Sequence, residues 1–290
     1  MVDGGTDATG IRTWTAGSAG RVLRVPTGSD DKYSRGVVGL RTGSDAFPGA
    51  AVLGVEAAWR TGVGMVRYLG PRRAADLVLA RRPETVTADG RVQAWVIGSG
   101  TDARARSSDE TAALRGILAG PVPVVVDAGA LDLAVGASAP LLVTPHASEY
   151  ARLRGMLGLD APEPPADLDA REESVRETAA MLGGTVLLKG ATTIVATSSG
   201  WTARVSSSTP WLATAGTGDV LGGVLGALVA TAHAADAEAL GALAATGAWL
   251  HGRAGSLAAG RCPGRGGPIV ALDVADALPR AIAEALAAVG

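Results

Sequence analysis

Short apolar runs alternating with helix-patterned stretches constrain this chain more than any other feature. Strand candidates fall at residues 36–41, 65–69, 94–97, 122–126, 141–143 and 185–188, and helix patterns at 49–60, 74–81, 149–156 and 171–182 lie between them. A further helix opens with the capping-box spacing Ser107 to Glu110. Runs this short, apolar on consecutive positions, belong to strands buried on both faces. The pattern therefore predicts an α/β fold whose mostly parallel central sheet carries helices on both sides. Ligands of such sheets gather at the carboxyl ends of the strands. Residues 193–196 and 201–205, joined across Ser198-Ser199-Gly200, read as a β-hairpin beside the main sheet. Helices are expected at 220–231, 237–259 and 274–288.

A chain of 290 residues with 47% hydrophobic content can bury one large core. Residues 1–34 are polar and Gly/Ser/Thr-rich, with Trp14 and Val22 isolated, and are expected to form a partly flexible, loosely attached arm ahead of a domain spanning 35–290. The segments 161–166 and 261–268 read as surface loops. A net charge of −2 gives no electrostatic reason for a nucleic-acid or anionic-membrane partner. The start Met-Val-Asp-Gly-Gly lacks the basic-then-apolar pattern of a secretory signal, and the apolar runs fall short of the roughly 18 residues that span a bilayer. Cys262 is the single cysteine, which suits a reducing compartment, so a cytoplasmic location is expected.

Chemistry concentrates where strands stop. Ala213-Thr214-Ala215-Gly216-Thr217-Gly218-Asp219 runs straight into an apolar helix. Glycines bring backbone close to a ligand, and the unpaired N–H groups of a helix start favour an anion, most naturally phosphate. Asp219 is the odd residue there, because a carboxylate beside phosphate needs a task; taking a proton from a substrate hydroxyl is one, complementing the helix dipole another. Of 26 basic residues only Lys32 and Lys189 are lysines, so Lys189-Gly190-Ala191-Thr192-Thr193 after a strand reads as a phosphate contact.

The turns at 43–50 and at Gly98-Ser99-Gly100 are close-approach loops. Asp127, ending a strand, reads better as a helix cap than as a metal-side carboxylate. In Thr144-Pro145-His146-Ala147-Ser148-Glu149 the spacing makes a helix start; the functional alternative sets His146 over the cleft and Glu149 on a magnesium-bound water or a phosphate. His251 reads as a hydrogen-bonded packing histidine and His233 as a surface one. The scattered tryptophans look like core or rim.

Taken together and in this order, these motifs resemble the ADP-dependent NAD(P)H-hydrate dehydratase family, a branch of the ribokinase-like superfamily. The resemblance runs from about Val37 to the C-terminus. It rests on Gly49-Ala50, Gly98-x-Gly100, Asp127-Ala128-x-Ala130-Leu131, Thr144-Pro145-His146-x-x-Glu149, Leu188-Lys189-Gly190, Gly216-Thr217-Gly218-Asp219 and Leu250-His251-Gly252-x-Ala254-Gly255. Related kinases usually show Asn at the position of His146. The resemblance implies a three-layer α/β/α sandwich.

It also implies that Ala50, Gly100, His146 and Asp219 contact a hydrated NADH or NADPH, while Lys189, Gly190, Ala191, Thr192, Thr193 and Gly218 contact the adenine nucleotide. The implied reaction phosphorylates the hydrated ring's hydroxyl from ADP and then loses phosphate, leaving AMP. In that reaction Asp219 is the base, the amides from Gly216 to Gly218 hold the phosphoryl group, and Mg2+, touched indirectly by Glu149, offsets its charge. Ser99 stands where the family usually has Pro, Ala147-Ser148 where it often has Pro-Gly, and Ala215 where it often has Gly. The implied partners are a homo-oligomeric copy of the chain and a separate NAD(P)H-hydrate epimerase, expected because the arm has no room for one. Two other readings stay open: a small-molecule kinase that stops at the phosphorylated alcohol, and a nucleotide-binding module without catalysis.

Overall fold

The structure, a computed structural model, describes residues 12–160, 163–206, 209–234, 236–262 and 265–290. Among the described residues nine strands form one sheet: β1 (Arg12–Thr13), β2 (Val37–Arg41), β3 (Met65–Tyr68), β4 (Ala94–Ile97), β5 (Val124–Val126), β6 (Leu141–Val143), β7 (Thr185–Leu188), β8 (Thr192–Ala196) and β9 (Thr202–Ser206). Their order is β1-β9-β8-β7-β6-β5-β4-β2-β3, and only the β7/β8 and β8/β9 pairs are antiparallel. The expected parallel sheet with a hairpin at one side is therefore present. Val122 and Pro123 drop out of β5 because Pro123 has no N–H to give, although its carbonyl still accepts from Trp95 N–H at 2.9 Å.

Side-chain alternation along the strands builds two cores. Ala94, Val96, Val125, Leu142, Leu187 and Val195 face one helical layer, while Ile97, Val124, Val126, Val143, Val186, Leu188 and Ile194 face the other. The first layer holds α2 (Gly49–Thr61), α7 (Thr217–Ala232), α8 (Ala237–Ala259) and α9 (Ala271–Ala287), with α3 (Arg72–Arg81) packed on α2. The second holds α4 (Ser108–Leu118), α5 (Ala147–Met156) and α6 (Leu168–Leu182). This is an α/β/α sandwich. Helices α2 and α7 approach so closely that a Cβ on Gly223 would lie 2.1 Å from the Gly54 carbonyl oxygen, so α7 is held against α2 by backbone contact. That contact fixes where the N-terminus of α7 points.

The expectation of a loose arm fails for residues 12–22. Strand β1 pairs with β9, and α1 (Ala16–Val22), capped by the Thr15 side chain, packs on α8 and α9. Trp14 is only 3% exposed, donates from Nε1 to Thr246 Oγ1 at 3.2 Å, and meets Trp201 edge to face at 5.7 Å. Residues 1–11 lie outside the described residues, as do 161–162 and 263–264 of the two expected loops. Among the described residues no helix is long and apolar enough to cross a membrane.

Candidate active site

The carboxyl ends of β2, β4, β5, β6 and β7 lie along one edge of the sheet, and the sequence motifs sit just beyond them. At β2 and β4 the loops interlock: Gly43 N–H donates to the Ser99 carbonyl at 2.7 Å, and a Cβ on Gly100 would stand 2.3 Å from Ala50 Cβ. Ala50 and Gly100, far apart in sequence, are thus brought into contact. Only glycine fits at position 100.

The centre of the site is a lysine among carboxylates. Lys189 Nζ donates to Asp127 Oδ1 at 2.8 Å and stands 3.8 Å from Glu149 Oε2. Burial works against the ammonium, yet Asp127, Glu149 and Asp219 outweigh it and raise its pKa above the ordinary value. Asp127 is 4% exposed and also accepts from Ser99 Oγ at 3.1 Å and Thr144 Oγ1 at 2.8 Å.

The cap expected at Asp127 is corrected by this geometry: it precedes a 3-10 turn, Ala128–Leu133, without making any side-chain capping bond. Its carboxylate points across strands instead. The sequence offers no such role for Ser99 and Thr144 and reads Asp127 as a cap; the one legible signal is a carboxylate at a strand end.

His146 and Glu149 do form the expected helix start. Glu149 Oε2 accepts from His146 N–H at 2.9 Å, His146 Nδ1 lies 3.5 Å from Glu149 N, and Nε2 lies 3.3 Å from Glu149 Oε1. Lys189 N–H donates to the Pro145 carbonyl at 2.9 Å, which ties this loop to the end of β7. Gly190 and Ala191 turn the chain, and Thr192 and Thr193 begin β8.

Gly216 caps α7 with φ +88°, a left-handed conformation for which glycine is suited, and it opens the helix toward the site. A Cβ on Gly218 would lie 3.9 Å from Lys189 Nζ, so the ammonium faces the first turn of α7. Asp219, half-buried in that turn, has its pKa raised to about 6, first by burial and then by Asp127, with Lys189 opposing. His251 lies behind the loop. Burial lowers its pKa to about 4 against a hydrogen bond to the Thr217 backbone, and Nε2 has no partner among the described residues. It is the packing histidine expected. His233 ends α7 with its Nε2 2.9 Å from the Ser34 carbonyl oxygen.

Open N–H groups, an ammonium and a half-buried carboxylate can together bind a phosphoryl group and take a proton beside it. A cavity of ≈ 240 Å³ bordered by Leu228, Thr231, Pro279 and Ile282 lies at the far end of α7 and takes no part. Among the described residues no group of three or more His, Cys, Asp or Glu is placed to enclose a metal ion. The donors instead suit Mg2+ held mainly by phosphate oxygens and waters; Glu149, already bonded to His146, would act only through a water.

A family model described as NAD(P)H-hydrate dehydratase matches residues 38–269. The bifunctional NAD(P)H-hydrate repair enzyme of Mycobacterium leprae is 43% identical over 247 residues, which cover 81% of this chain and 48% of that protein. The chain thus spans about half the length of the repair enzymes it matches. The ADP-dependent (S)-NAD(P)H-hydrate dehydratase of Neisseria meningitidis is 36% identical over 80% of each chain. The crystal structure of the ADP/ATP-dependent NAD(P)H-hydrate dehydratase of Bacillus subtilis, co-crystallized with ATP/Mg2+, superposes with a TM-score of 0.80 at 26% identity, covering 94% of this chain and 98% of that one. A ribokinase-like superfamily protein from Enterococcus faecalis, at 20% identity, shares the fold with a TM-score of 0.76.

Proposed function

Because the chain belongs to the NAD(P)H-hydrate dehydratase family, we propose that it catalyses the ADP-dependent dehydration of the S-hydrate of NADH or NADPH, a lyase reaction that regenerates the dinucleotide and releases AMP and phosphate. The observation that carries the reading is the half-buried Asp219, its pKa raised to about 6, in the first turn of a helix whose open N–H groups face Lys189. A carboxyl group so placed is ionised at neutral pH and still basic enough to take a hydroxyl proton.

In this mechanism Ala50, Gly100, His146 and Asp219 hold the hydrated ring, and Lys189 to Thr193 with Gly218 hold ADP. Asp219 removes the proton of the ring hydroxyl as that oxygen attacks the terminal phosphorus of ADP. The amides of Gly216 to Gly218 and the Lys189 ammonium bear the charge on the transferring group. Mg2+, when bound to the phosphates, offsets more of it. The new phosphate ester sits next to the ring nitrogen, whose lone pair expels it. An epimerase would convert the opposite hydrate epimer, and we place the reaction in the cytoplasm.

The test supplies ADP, magnesium and NADH hydrate and follows reduced-nicotinamide absorbance with AMP and phosphate. Recovery with both products supports the reading. A stable phosphorylated product without recovery makes the chain a kinase.

A further inference from the structure

A buried carboxylate stands among the strand ends with no part in the reaction assigned to it so far. Asp127, 4% exposed, accepts from Ser99 Oγ on Oδ2 at 3.1 Å and from Thr144 Oγ1 and Lys189 Nζ on Oδ1, both at 2.8 Å. Donors from beyond three strands thus fill its oxygens and close them to a substrate. Folding alone does not call for a charge here, because apolar side chains of similar volume often serve as well as a buried ion pair.

The backbone beside it is strained. Ala128, the next residue, has φ +46°, a left-handed conformation that a Cβ disfavours. Such strain lasts only where the surroundings enforce it, and it gathers at functional sites. Here Asp127 N–H donates to the Ile97 carbonyl at 3.0 Å, Gly129 N–H donates to the Gly98 carbonyl at 3.3 Å, and a Cβ on Gly98 would lie 2.1 Å from the Asp127 carbonyl oxygen. These contacts fix the chain as it leaves β5, with the carboxylate directed across β6 to Lys189 and not onto its own 3-10 turn.

We infer that Asp127 is a positioning residue of the reaction, a fixed anion that acts through Lys189 and Asp219; the inference rests on the dehydratase reading. On Lys189 it acts by contact, keeping the ammonium beside Gly218. On Asp219 it acts by charge: burial is the first cause of the raised Asp219 pKa, Asp127 the second, and Lys189 opposes both. An anion behind the base keeps it avid for the hydroxyl proton. On the elements packed against α7, Glu56 and Asp276 hold Arg60, Arg41 holds Glu110, Arg253 holds Glu284 and Asp273 caps the Val270 N–H. Glu149 faces Lys189, and His251 titrates at about 4. Asp127 and Lys189 are therefore the charges that set Asp219.

The experiment compares the full chain with Asp127→Asn, which keeps the shape and loses the charge, in kcat/KM for NADH hydrate against pH with ADP and magnesium, thermal unfolding showing that each is folded. Removing the neighbouring anion makes Asp219 easier to ionise, so the acid limb moves from about pH 6 to lower pH by about one unit. KM for ADP rises about tenfold, since Lys189 has lost its anchor. A limb that stays near pH 6 overturns the inference whatever happens to the rate, because a residue that only supports the fold slows turnover without moving the limb. Ser99→Ala gives a second reading that does not depend on the first variant folding: the charge stays, Oδ2 loses its partner, the limb holds and KM for ADP rises about threefold. An unchanged KM there would contradict the positioning of Lys189. Absence of NADH recovery by the unaltered chain would instead defeat the dehydratase reading itself.

Discussion

Lys189 Nζ donates to Asp127 Oδ1 at 2.8 Å across the ends of two strands that are not neighbours in the sheet. Strand β6 lies between them, and the hydroxyl of Thr144, the residue just after it, donates to the same Asp127 oxygen. The ammonium is thereby held at the first turn of α7 before any ligand arrives, with Gly218 on its other side. Its position is set by charge and hydrogen bonds from elements that the sequence keeps far apart.

Removing that lysine has two expected effects. Lys189→Ala weakens ADP binding more than binding of the hydrated dinucleotide, because the ammonium meets phosphate. It also leaves Asp127 buried without its cation, which costs on the order of 2–4 kcal/mol of stability. Calorimetric titration with each ligand and urea denaturation measure the two; equal losses of affinity for both ligands would contradict the phosphate role.

Asp219→Asn is expected to trade activity for stability. Turnover at saturating ADP falls about a hundredfold or more, since shape is kept and the base is lost. Burial raises the Asp219 pKa from 3.8 to about 6, so ionising it in the folded state is costly, and that cost is absent below pH 4 and complete above about pH 6. The Asn variant is therefore more stable than the parent at pH 7.5, on the order of 1–3 kcal/mol, and the gap narrows toward pH 4.5. Thermal unfolding at the two pH values measures it.

The same carboxyl sets the acid limb of the rate. Below about pH 6 Asp219 holds its proton and cannot accept another, so kcat/KM for the hydrate drops up to tenfold per pH unit. A profile flat from pH 7 to pH 5 would remove Asp219 from the base role. The residual rate of Asp219→Asn lacks this limb.

Much of the fold is legible in the sequence because the strands are short, apolar and separated by helices with a clear period. Trp14 and α1 are not legible, since their place depends on Thr246, Trp201 and α9, and a lone tryptophan in a polar stretch carries no period. In the site, the loops are legible because strand ends fix them. The bond that organises their charges is not: whether Asp127 caps its own turn or faces Lys189, 62 residues on, is decided by the order in which β5, β6 and β7 assemble. His146 and Glu149 lie three residues apart, so their helix start could be read from spacing alone.

The central claim is that the ring hydroxyl is phosphorylated and then leaves as phosphate, so its oxygen departs bonded to phosphorus. NADH hydrate made in oxygen-18 water carries the label on that hydroxyl. Turnover with ADP and magnesium in ordinary water, followed by mass spectrometry of the released phosphate, reads the fate of the label. One labelled oxygen per phosphate, matched by one NADH recovered, is the predicted result; unlabelled phosphate alongside recovered NADH would mean that the hydroxyl leaves as water and that Asp219, Lys189 and the glycine loop serve some other chemistry.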